Sequence, residues 1–127
     1  MLHHVALGAH NIEAVAEFYR QFFELKELVR HADSAGALRS IWLELAPGAV
    51  LMIERTAELP RRVDGIGAGP FLLAFGVADQ TARAARVEAL RAAGYEIEAE
   101  TGFTSYTRDP EGNRVALSCY PLPVEER

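Results

Sequence analysis

Cysteine occurs once, at Cys119, so the chain cannot close an intramolecular disulfide, and this fits a reducing compartment. Basic residues are outnumbered by acidic ones, 13 to 18, and they are scattered rather than gathered into runs. A formal charge of −5 with no basic patch excludes the electrostatic footprint of a nucleic-acid or anionic-membrane binder. No apolar run approaches the roughly 20 residues of a membrane span, and no charged segment followed by an apolar one opens the sequence. Low-complexity segments are also lacking. The expectation is a cytoplasmic protein with neither nucleic acid nor membrane as partner. What is present is half apolar and 24% charged over 127 residues, in the single-domain range and long enough to bury a core.

The organising stretch is Leu2–Asn11, LHHVALGAHN, because the chain writes it twice. Its second copy is Leu72–Asp79, LLAFGVAD. With Ala6 on Ala74 and Gly8 on Gly76, His4 falls on Leu72 and Asn11 on Asp79. Each copy alternates apolar positions, as a half-buried strand does, and ends on an N-cap residue that opens a helix. Such internal repetition predicts two like halves enclosing a shared site.

In the first half, the predicted strand Leu2–Gly8 puts Val5 and Leu7 on one face and His4 and Ala6 on the other. Ile12, Val15, Ala16, Tyr19, Phe22 and Phe23 recur at helical spacing within Ile12–Glu24 and mark a core face. Leu25–His31, Leu38–Leu45 and Ala49–Arg55 read as strands, separated by turns at Asp33–Gly36 and Pro47–Gly48. Thr56–Pro70, with two prolines, three glycines and no periodicity, is the linker.

The second half repeats the order: strand Phe71–Val77, a helix Gln80–Ala93 stopped by Gly94, and strands Tyr95–Glu100, Phe103–Arg108 and Arg114–Tyr120. Asp109-Pro-Glu-Gly-Asn113 carries turn chemistry before the last strand, and the Val124–Arg127 tail is expected to fray. The predicted class is α+β, one domain over 1–127 built of two βαβββ modules, at about 1–55 and 71–120, joined by 56–70. Strand parity predicts a concave lining of His4, Ala6, Ser40, Trp42, Glu44, Met52 and Glu54 from the first module. From the second it predicts Leu72, Ala74, Tyr106, Ala116, Ser118 and Tyr120. His3 and Cys119 have the opposite parity, and His10 and His31 read as surface residues.

The βαβββ doublet, the opening HHVAL…N…FYR.FF.L, the glutamate ending the fourth strand and RDPEGNR before the last strand together resemble the vicinal oxygen chelate superfamily, the glyoxalase, bleomycin-resistance and extradiol dioxygenase group. The resemblance covers essentially the whole chain. It implies paired βαβββ modules in an open, cup-shaped mixed sheet with helices outside, commonly as a homodimer. It also implies one divalent metal bound by four side chains, one from the first and one from the last strand of each module. His4 and Glu54 match the first-module positions; Leu72 and Ala116 stand where the family usually has histidine and glutamate. Neither of those two has a lone pair to give.

One imidazole and one carboxylate fall short of the three protein ligands of an ordinary catalytic zinc site. The expectation is therefore no resident metal, with a weakly held, exchangeable divalent ion at His4 and Glu54 as the alternative. Three functions follow from the resemblance. The first is a binder of a small organic molecule, using Trp42, Met52, Leu72, Ala74, Tyr106, Ala116, Ser118 and Tyr120. The second is a metal-dependent lyase, isomerase or ring-cleaving dioxygenase. The third is a metal-free enzyme in which His4 and Glu54, at hydrogen-bond reach, move a proton. Trp42 and Tyr106 would stack on a flat ligand, or serve only as core aromatics.

Overall fold

The computed structural model describes residues 1–123, so the tail expected to fray lies outside the described residues. The element order is β1 (His4–Ala9), α1 (Ile12–Phe23), β2 (Lys26–Ala32), β3 (Leu38–Ala46), β4 (Ala49–Arg55), β5 (Leu73–Gly76), α2 (Gln80–Ala92), β6 (Ala99–Glu100), β7 (Thr104–Arg108) and β8 (Arg114–Ser118). This is βαβββ twice, an α+β fold, with strands bonded into two four-stranded sheets of order β1-β4-β3-β2 and β5-β8-β7-β6. In both sheets the first and last strands of the module pair in parallel and the remaining pairs are antiparallel. The repeated opening stretch is thus matched by a repeated topology.

The described residues form two compact units: residues 1–62 with Asp109–Gly112, and residues 63–108 with 113–123. In the first, Asn11 caps α1 by accepting the Ala14 N–H at 3.0 Å. Every residue of the apolar stripe in α1 is buried, and Phe18 joins it. That face packs on β3 and β4. There Ile41, Leu43, Leu51 and Ile53 are fully buried. Burying such a side chain is worth roughly 1.5–3 kcal/mol, so this face carries most of the stability of the unit. Arg20 and Arg30 fasten α1 to β2: Arg30 pairs with Glu13 and Glu27, and Arg20 with Glu17 and Glu27. The paired guanidiniums hold the Glu13 and Glu27 carboxyls below their usual range, chiefly through hydrogen bonds from Arg30.

The DPEGN segment is a β-turn closed by Gly112 N–H donating to the Asp109 carbonyl at 2.9 Å, with Gly112 at φ +89°. Asp109 is buried and accepts a 2.7 Å hydrogen bond from the Tyr19 hydroxyl of α1. Glu111 accepts from the His10 N–H at 2.8 Å. The turn therefore belongs physically to the first unit.

In the second unit Asp79 caps α2 by accepting the Ala82 N–H at 2.8 Å, and Gly94 sits at φ +91° just past the helix. Only Val87 and Leu90 of α2 are buried. They join Val115 and Leu117 in the core. Two expected strands are shorter than their alternation suggested. Residues 95–98 lie outside β6: the Tyr95 N–H returns to the Leu90 carbonyl at the helix end, and the Glu98 N–H then meets the Tyr106 carbonyl of β7 at 2.8 Å. The last strand stops at Ser118, so Tyr120 leaves the sheet: it is 60% exposed, edge-on to Phe103. Its expected place in the lining is corrected accordingly. No helix among the described residues is long and apolar enough to cross a membrane.

Candidate functional site

Alternation of burial fixes which side of each sheet faces its helix and which faces away. On the far face of the first unit, register aligns the side chains in three rows across β1, β4, β3 and β2. Gly8, Glu54, Ser40 and His31 form one row; Ala6, Met52, Trp42 and Val29 the next; His4, Val50, Glu44 and Lys26 the third. All the first-module residues assigned by parity to the lining share this face. His31 shares it too, which corrects its reading as a surface residue. It is half-buried, with its ring 4.6 Å from that of Trp42 and edge-on.

The rows also correct the expected His4–Glu54 pair. His4 is opposite Val50, whereas Glu54 is opposite Gly8. Four residues of offset along a strand is about 13 Å, far beyond hydrogen-bond reach. The β4 positions that meet His4 on this face are Val50 and Met52. His4 instead has its Nδ1 2.9 Å from the Nδ1 of His3, and both rings are exposed. Among the described residues Glu54 has no hydrogen-bond or ion-pair partner.

On the far face of the second unit, Ala74, Ala116, Tyr106 and Ala99 share one row. Gly76, Ser118 and Thr104 form the next, where the Thr104 and Ser118 hydroxyls bond each other at 2.8 Å. The Arg114 guanidinium lies 4.6 Å over the Tyr106 ring, a cation–π contact. Arg108 is held by Glu98 at 3.0 Å, the Val63 carbonyl at 2.6 Å and Asp64 at 3.2 Å, so it braces the chain. Leu72 is half-buried and lies just before β5. Ala116 is fully buried.

Among the described residues no three His, Cys, Asp or Glu side chains group closely enough to hold a metal ion. The donor set therefore does not fit the resident metal that the family pattern implies, whose zinc centres take three or more protein ligands.

Comparison with known proteins defines the class. The Glyoxalase/Bleomycin resistance protein/Dioxygenase superfamily profile matches residues 1–117, and the chain belongs to that superfamily. Solved structures agree on the fold. A fosfomycin resistance protein, FosX, from Listeria monocytogenes, complexed with Mn(II) and a dihydroxypropylphosphonic acid, superposes with a TM-score of 0.79 at 20% identity, covering 96% of this chain and 94% of that one. A possible glyoxalase from Bacillus cereus gives 0.75 at 16% identity over 94% and 98%. A lactoylglutathione lyase from Agrobacterium tumefaciens gives 0.67 at 20% over 93% and 92%. No curated protein sequence matches the chain.

Proposed function

We propose that this superfamily member binds a small organic molecule on the far face of one of its sheets, with the family's metal site degenerate. The observation that carries the reading is the composition of the two central rows. Ala6, Met52 and Trp42 in the first unit, and Ala74 and Tyr106 beside the buried Ala116 in the second, make each row apolar and aromatic, with no His, Cys, Asp or Glu in either. Apolar lining with a few fixed polar groups is the usual make-up of a small-molecule site. The metal-dependent lyase, isomerase or dioxygenase reading lacks a grouped donor set among the described residues, since His4 and Glu54 stand four residues apart along the paired strands. The metal-free proton-transfer reading lacks the contact between His4 and Glu54 on which it rests.

Elemental analysis of purified protein and a melting-temperature screen test this directly. Flat aromatic compounds should raise the melting temperature, while zinc, manganese and magnesium salts should leave it unchanged. A stoichiometric ion that survives dialysis, or a rise on adding divalent ions alone, would overturn the proposal. Assembly as a homodimer belongs to the same reading, and light scattering should give the mass of two chains.

A further inference from the structure

Three buried polar atoms on the far face of the first unit have no hydrogen-bond partner among the described residues: His31 Nε2, Ser40 Oγ and Trp42 Nε1. They are neighbours. Ser40 is opposite His31 across β2 and β3, Trp42 is two residues further along β3, and the Trp42 and His31 rings touch edge-on. Ser40 is 1% exposed. An orphaned buried donor or acceptor is costly, and a native fold keeps few of them, so three together call for a shared partner.

We infer that this trio is the polar subsite of the binding face and that it takes the oxygen of an uncharged carbonyl-bearing molecule; the inference rests on the small-molecule reading above. The chemistry of the atoms selects that class. An indole N–H only donates, so the ligand atom it meets must be an acceptor. The Ser40 hydroxyl and the His31 ring nitrogen can each donate or accept, and so adapt to a carbonyl, amide or ester. Glu54 stands opposite Ser40 across β3 and β4 with no cation paired to it among the described residues, which works against an anionic ligand. Met52 and Ala6, beside Trp42 in the next row, give the body of the ligand an apolar bed.

Acetophenone and ethylbenzene, which have the same carbon skeleton and differ by a carbonyl oxygen, test this on the full chain. Trp42 is the only tryptophan, so its indole N–H gives a single, self-assigned signal in a nitrogen-edited proton spectrum. Acetophenone should move that signal downfield and bind about tenfold more tightly than ethylbenzene, as one hydrogen bond warrants. Benzoate should bind more weakly than acetophenone. Trp42→Phe, which keeps the ring and removes the donor, should abolish the preference, and Ser40→Ala should reduce it. Equal binding of acetophenone and ethylbenzene, or a preference for benzoate, overturns the inference while leaving the small-molecule reading in place. Failure of all three probes to bind overturns both. The comparison of probes on the unaltered chain stands even if a variant fails to fold.

Discussion

Tyr19 and Asp109 show what one contact does in this molecule. Burial, with the Asp109 carboxylate beside it, raises the Tyr19 hydroxyl well above the ordinary value of 10.0. The folded chain therefore keeps a proton that the unfolded chain releases near that pH. The stability from this group is fully present below pH 10 and is lost as pH rises further. Tyr19→Phe should cost about 1–3 kcal/mol at neutral pH by stranding a carboxylate oxygen. It should also flatten the alkaline decline, as urea unfolding followed from neutral to strongly alkaline pH would show. At this scale the sequence was only half legible. Alternation correctly put His4, Trp42, Met52 and Glu54 on one face, because side-chain direction has a period of two. It could not give the register between β1 and β4, which separates His4 from Glu54. His31 was missed because it stands at the expected end of its strand, whereas β2 runs on to Ala32 and pairs His31 with Ser40.

Among elements, the helices were the most legible, because their caps and stripes are local signals. Both N-caps are made by the residues expected, and each bonds a backbone N–H three residues on. Asn11→Ala and Asp79→Ala should each cost about 1 kcal/mol, read from denaturant midpoints. The end of α1 is less favourable. Glu24 occupies the left-handed region at φ 56°, which suits glycine better than a residue with a Cβ. Glu24→Gly should raise stability by about 0.5–1 kcal/mol, checked by the same unfolding curves. Strand ends were less legible, since Tyr95–Glu98 alternates as a strand would while only its end joins β7, where the Glu98 N–H donates to the Tyr106 carbonyl at 2.8 Å. The Tyr95 N–H goes to Leu90, and the Glu96 carbonyl accepts from the Thr107 hydroxyl at 2.7 Å.

For the whole molecule, the repeat in sequence conceals an asymmetry in packing. α1 buries seven residues, four of them aromatic, whereas α2 buries Val87 and Leu90 alone. Amide exchange should therefore be faster in α2 than in α1, and equal protection of the two helices would contradict this account. The βαβββ order could be read because every segment carries its own punctuation. The asymmetry could not, since the alanine-rich α2 has helix-forming residues but few large apolar ones to bury.

The placement of Asp109–Gly112 in the first unit has a practical sequel for limited proteolysis. Trypsin cutting after the exposed Arg61 would yield two fragments, yet the C-terminal one carries the carboxylate that caps the Tyr19 hydroxyl. The nicked protein should run as two bands in denaturing gels and as one species on a sizing column, a noncovalent clasp doing what the lone cysteine cannot.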